Sequence, residues 1–275
     1  MRWMMGLAGA LALSACVTAQ PTQSGFLTDY TRMTPPVQDG AARLQTFRDE
    51  AALAGVTRIS IAPSVVTPEA LEGWTPDALA PLLAEMDAEL CRELVERFEI
   101  TDDPGAVQIR AAVTAVARTG QASSFLSAAA GQVIPGPGVR LPVGLGGLSA
   151  EAQAVDPVTG AILAQLTWAR RAQIVLDSGS LSPIGDAHQM AEPFADAVGR
   201  VMQVEGVEPA AGRDPERCPG SGFNAGRFVA SQVTGLHFVP EAAPAGVEPT
   251  ETTSPEAVEN APAPPPEATP APSAP

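Results

Sequence analysis

The chain has 275 residues, with 16 basic against 31 acidic side chains, a formal charge of −15 and a pI near 4.4. That balance excludes a nucleic-acid partner, because a phosphate backbone needs a basic face. All 16 cations are Arg and none is Lys, which excludes P-loop, Schiff-base and pyridoxal chemistry. Aromatic residues make up 4% of the chain, too few for platforms that stack bases or sugars.

Residues 1–15 carry one cation, Arg2, and then run uncharged from Trp3 to Ala12. This is the apolar region of a signal peptide, shorter than the roughly 20 residues a bilayer span needs. It ends in Leu13-Ser14-Ala15-Cys16, which resembles the lipobox of bacterial lipoproteins. Small residues there let the peptidase reach the bond, and the Cys16 thiol takes a diacylglycerol. The alternative is an ordinary secretory signal cut near Ala15 or Ala19. Acyl chains such as palmitate, buried at about 0.8 kcal/mol per CH₂, turn Cys16 into a permanent membrane anchor. Val17, not Asp, follows Cys16. By resemblance to the sorting rule of Gram-negative lipoproteins, that implies the outer membrane, facing the periplasm.

Residues 16–24 read as the lipidated Cys and a polar tether of about 25–30 Å at full extension. Val56 to Val65 sets Ile59 and Ile61 against Arg58 and Ser60, the alternation of a strand. Thr75-Pro76-Asp77 is a helix start, with Thr as N-cap and Pro at the first helical position. Leu79, Leu82, Leu83, Met86, Leu90, Leu94 and Phe98 follow as one apolar stripe. Ala106 to Ala117 alternates again as a second strand. Residues 120–147 are rich in Gly, Ser, Ala and Pro; a short helix near Ser123 to Ala130 and then a loop are expected. Ser149 to Val155 and Ala161 to Arg171 form a hairpin through Asp156-Pro157-Val158-Thr159-Gly160. Asp186 and Gln189 suggest a capping box for a last helix bearing Met190, Phe194, Val198, Val201 and Met202, with Pro193 as a marker of its true first turn. The order predicts an α+β fold, a single two-layer domain over 25–203. Two amphipathic helices would cover one face of a roughly four-stranded sheet.

Residues 204–239 read as an irregular extension. From Pro240 to Pro275 there are 11 Pro among 36 residues, with six Glu and no Arg, so this tail should be disordered with polyproline II character. Its removal leaves 15 Arg against 25 acidic residues in 16–239, so the domain is acidic in its own right.

Three stretches carry a family resemblance: Ser24-Gly25-Phe26-Leu27-Thr28-Asp29-Tyr30, the turn from Asp156 to Leu163, and the terminal amphipathic helix. Together they resemble the bacterial lipoproteins catalogued as domain of unknown function 3313, over about Ser24 to Gln203. The resemblance implies an envelope lipoprotein and brings no activity, cofactor or catalytic residue. Residues 204–239, the tail and the Gly/Pro loop at 131–147 depart from it.

The search for chemistry yields no catalytic, cofactor or metal assignment. His188 and His237 are the two histidines, and no Gly-x-Ser-x-Gly elbow accompanies them. Asp186-Ala187-His188 could pair an acid with a base, against a solvated capping segment as the plainer reading. His188, His237, Cys91 and Cys218 lack metal-ligand spacing. Gly136-Pro137-Gly138 and Gly144-Leu145-Gly146-Gly147 do not complete a phosphate cradle. Phe26 and Tyr30 are either an N-terminal staple on the core or a partner contact near the membrane. Asp102-Asp103 and Asp49-Glu50 read as solvated loop charge. With Cys16 lipidated, Cys91 and Cys218 are an even pair in an oxidising compartment. Cys91 sits at the rim of the buried helix face, so a disulfide to Cys218 is expected, with two free thiols as the alternative.

The expected function is a non-enzymatic, lipid-anchored periplasmic lipoprotein of the outer membrane that binds another cell-envelope component, a protein or peptidoglycan. Without lysine, a fully acylated mature chain has no primary amine, so contact with peptidoglycan is noncovalent. The alternative is a small-ligand binding or sensing lipoprotein with a pocket under residues 120–147.

Overall fold

A computed structural model describes residues 20–120, 145–173, 177–219, 236–237 and 239. The expected signal segment, Cys16, the helix expected near Ser123 to Ala130 and the tail 240–275 lie outside the described residues. Strands β1 (Val37–Asp39), β2 (Ala42–Arg48), β3 (Arg58–Ile61), β4 (Val65–Val66), β5 (Glu99–Ile100), β6 (Val107–Ala117), β7 (Gly147–Val155) and β8 (Ile162–Arg171) form one mixed sheet. Its order is β1-β2-β8-β7-β6-β3-β5, with β4 also pairing β6. The helices are α1 (Glu50–Leu53), α2 (Pro76–Val95), α3 (Gly185–Gln189) and α4 (Ala191–Met202), and β9 (Gly179–Ser180) pairs in parallel with β10 (Leu236–His237).

This overturns the roughly four-stranded sheet with two helices on one face. The α+β class stands, but the sheet is eight-stranded and mixed. The additional strands include β1, β4 and β5, each only two or three residues long, too short to express a period. β3 and β4 share one edge of β6, in register Ile59↔Val107 and Val65↔Ala112. The expected single strand 56–65 is broken at Pro63, which has no N–H to give the ladder. Just beyond it, Ser64 N–H donates to Asp87 Oδ1 at 2.8 Å.

Helix α2 begins as its sequence dictates, with Thr75 Oγ1 accepting from Ala78 N–H at 3.3 Å and Pro76 in the first turn. It ends at Val95, one turn before Phe98. Its stripe of Leu79, Leu82, Met86, Leu90 and Leu94 is wholly buried. Burial of each such side chain contributes about 1.5–3 kcal/mol. The last helix is two helices joined at Met190, and Pro193 falls in the first turn of α4, where its missing N–H costs nothing. The capping box does not form: Ile184 occupies the N-cap position of α3, and Asp186 is buried. Between helices and sheet, Trp168 of β8 meets Phe194 of α4 edge-on, with centroids 5.8 Å apart.

Strands β7 and β8 are buried along almost their whole length on both faces. Leu148, Ala150, Ala152 and Ala154 belong to the apolar core with the helices. The alternate residues Glu151 and Gln153 are also buried, so a further layer covers the second face. No helix among the described residues is long and apolar enough to cross a membrane.

Candidate functional site: a strap over a polar sheet face

Pairing registers place two polar rows on the second face of the sheet. One runs Phe47↔Gln165↔Gln153↔Arg110, the other Gln45↔Thr167↔Glu151↔Ala112. Residues 20–34 lie across these rows as a strap. Thr22 Oγ1 approaches Thr114 Oγ1 of β6 at 3.5 Å. Thr34 N–H donates to the Thr46 carbonyl of β2 at 2.8 Å, and Gln45 Nε2 donates to the Thr34 carbonyl at 3.0 Å. Leu27 is buried between these ends.

Glu151 is the centre of the contact. It is fully buried, and among the described residues the donors that reach its carboxylate all come from the strap. Ser24 gives its hydroxyl at 2.6 Å and its N–H at 3.3 Å. Tyr30 gives its hydroxyl at 2.9 and 3.0 Å to the two oxygens. The Tyr30 oxygen in turn accepts the N–H groups of Gly25 at 2.9 Å and Leu27 at 3.3 Å. Thr28 donates its N–H and its hydroxyl to Gln153 Oε1, each at 3.2 Å. A buried carboxylate without such donors is expensive, so strap and Glu151 require each other. Gly25 makes the tight turn at φ 83, where a Cβ would meet no neighbouring atom within 4 Å. Glycine is needed there for the backbone alone.

Burial, first, and then the Glu151 carboxylate hold the Tyr30 phenol above its ordinary pKa; the Leu27 N–H works the other way. Asp29 is held below the usual carboxylate range by the hydroxyl and N–H of Thr31, at 2.7 and 2.8 Å. Phe26 is half-buried, with the Arg110 guanidinium 5.6 Å from its ring centroid, and Arg32 stands 3.8 Å over Phe47. The hydroxyl of Tyr30 is thus engaged within the domain. The sheet residues that receive the strap were not singled out from the sequence. Their signal is the pattern Ala150-Glu151-Ala152-Gln153-Ala154, where the polar residues alternate with small apolar ones.

Cys91 and Cys218 are joined by a disulfide, with Cα atoms 5.5 Å apart. Val95 shares their small cluster, and Ile61 and Ile100 pack against it. The bond pins the extension that follows α4 across the end of α2. There Ala210 N–H donates to the Arg97 carbonyl at 2.8 Å, Arg213 Nη1 donates to the Glu96 carbonyl at 2.6 Å, and Arg217 pairs with Asp102. Asp102, Asp103, Asp49 and Glu50 are exposed, as solvated charge should be, and each also has a partner. Asp103 pairs with Arg58, Glu50 pairs with Arg48, and Asp49 caps α1 by accepting from Ala52 N–H at 3.0 Å.

Asp186 and His188 are buried, which corrects the solvated capping segment. Asp186 Oδ2 accepts from Gly146 N–H at 2.7 Å, and its own N–H donates to Thr119 Oγ1 at 3.0 Å. His188 Nδ1 faces His237 Nε2 at 3.1 Å, and its Nε2 lies 3.9 Å from Glu85 Oε2. Burial and the neighbouring His188 push the His237 pKa down to about 4, against the pull of Asp186. Gly146 and Gly147 act in packing: a Cβ on Gly146 would stand 2.8 Å from Thr119 Oγ1, and one on Gly147 2.9 Å from the Arg170 carbonyl. Among the described residues no group of three or more His, Cys, Asp or Glu could hold a metal ion. The pocket expected under 120–147 falls on 121–144, outside the described residues.

No curated protein matches the chain. Two solved structures overlap with it at 13% identity: the PelC dodecamer from Paraburkholderia phytofirmans, and a leucine-to-methionine variant of that dodecamer. They cover 59% and 60% of this chain and 98% of their own, with TM-scores of 0.35 and 0.36, a level at which nothing carries over. Residues 22–198 match a family description that begins inside the strap and ends inside α4, so the chain belongs to the family described as Protein of unknown function (DUF3313).

Proposed function

We propose that this protein is a lipid-anchored, non-enzymatic domain of the bacterial envelope, held through Cys16 on the outer membrane facing the periplasm. There it binds another envelope component, a protein or peptidoglycan, by noncovalent contact. The observation that carries this reading is the strap. Its first residue on Glu151, Ser24, follows Cys16 by eight positions. A lipid on Cys16 would therefore enter the domain across a sheet face, at a fixed orientation and within about 25–30 Å of the bilayer. The short tether favours a partner that also lies close to the membrane.

In the test, wild type incorporates labelled palmitate and sediments with membranes after a high-salt wash, whereas Cys16→Ser does neither. Cys16→Ser protein that stays membrane-bound overturns the anchor. Partner binding is read separately. Tyr30 is engaged with Glu151, so a photoreactive residue belongs at position 26. It should crosslink in intact cells to one envelope protein, or the full chain should co-sediment with purified sacculi. Release of a stoichiometric small molecule on denaturation, with neither of those results, would replace this reading with small-ligand binding.

A further inference from the structure

The strands β9 and β10 meet beside the first residue of α3, Gly185, in register Leu236↔Gly179 and His237↔Ser180. Three things hold β10 there. Ser180, itself buried, donates its hydroxyl to the His237 carbonyl at 2.9 Å. Val239 packs against the apolar core. The His237 ring meets the buried His188 ring, nitrogen to nitrogen at 3.1 Å with centroids 5.1 Å apart.

We propose that the His188–His237 contact is a proton-operated latch: it holds His237 and Val239 on the domain near neutral pH and releases them on acidification. Among the described residues, the charged groups facing the pair include Glu85 of α2, at His188 Nε2, and Asp186 of α3, which acts on His237; β9 contributes the Ser180 hydroxyl. An N–H···N bond forms when one of the facing nitrogens carries a proton and the other does not. The contact therefore accommodates one extra proton. With His188 as the donor, its Nδ1–H is given to the unprotonated His237 Nε2. A second proton, on His237 Nε2, would face that N–H as donor against donor and cation against cation in a buried site.

The sign follows from linkage. His237 docks in its neutral form with a pKa of about 4, whereas the free side chain titrates near 6.5. Docking is complete above pH about 6.5. Below it the released population grows about tenfold per pH unit, levelling near pH 4 after about 300-fold in all.

The test is amide exchange of the full chain between pH 7.5 and 4, corrected for intrinsic rates, with the two imidazoles followed by NMR. Expected is a loss of protection at 236–239 of about tenfold per pH unit below 6.5 while α2 stays protected, with one of the two histidines titrating far below 6.5. His237→Gln keeps an uncharged hydrogen-bonding side chain and should remove the pH dependence. Should that variant fail to dock at any pH, the wild-type imidazole midpoint decides. Constant protection of 236–239 down to pH 4, loss of α2 protection in parallel, or both histidines titrating near 6.5 would each overturn the latch.

Discussion

At the scale of single residues, Glu151 and Tyr30 are a pair whose protonation can be read directly. Tyr30 is the one tyrosine of the chain, so the 295 nm absorbance change on alkaline titration reports its phenol alone. Its midpoint should lie above the ordinary value of about 10. Because the pKa is raised in the docked state, strap docking is undiminished below pH about 10 and is lost as pH rises through the shifted value. Glu151→Gln removes the carboxylate charge and should bring the midpoint down toward 10. It should also cost about 1.5–3 kcal/mol in denaturant unfolding, the range for hydrogen bonds to a charged group. A midpoint unchanged by Glu151→Gln would mean that burial alone sets the shift. Glu151 could not be picked out beforehand, since an acid in an alternating strand reads as the solvent face. It becomes legible only when Ser24 and Tyr30, more than 120 positions away, are placed on top of it.

At the scale of elements, α2, β6 and the β7–β8 hairpin were readable because each is long, has one clear period and carries a cap or a turn. Thr75 and the Asp156–Gly160 turn do in the structure what their residue types dictate. β2 escaped because its outward residues Gln45 and Phe47 are claimed by the strap, at Thr34 and Arg32. The α3–α4 break escaped because Met190, apolar and wholly buried, continues the stripe through the joint. The extension is an element by virtue of its bond to α2. The Cys91–Cys218 link closes a loop of 127 positions, for which chain entropy alone sets a ceiling of about 5 kcal/mol. Cys218→Ser should lower stability by about 2–4 kcal/mol while far-UV circular dichroism still shows α2. A loss under about 0.5 kcal/mol would mean that Arg213 and Arg217 dock the extension unaided.

For the whole molecule, the helices, the sheet and the strap form three layers, and the middle one has no solvent face over β7 and β8. The segment 240–275, with 11 Pro among 36 residues, no Arg and no aromatic side chain, holds too little apolar surface to join a core. Deleting 240–275 should accordingly leave the thermal midpoint within about 2 °C of the full chain, a shift worth well under 1 kcal/mol for a domain this size. A fall of many degrees in scanning calorimetry would show that the tail packs on the domain. The family match stops at residue 198, inside α4, so the disulfide and the histidine contact each join a residue within it, Cys91 or His188, to one beyond it, Cys218 or His237.

The strap also has a mechanical meaning. A pull entering at residue 20 meets Thr22, then Ser24, then Thr28 and Tyr30, before it reaches Thr34 at the edge of β2. These contacts sit one after another along the line of force, so they yield in sequence, each carrying the load alone, as in unzipping rather than shear. Paying out residues 20–34 adds up to about 50 Å of chain and uncovers Glu151 and Gln153, while the Cys91–Cys218 bond stays in place. Under tension the domain would give slack first and unfold last.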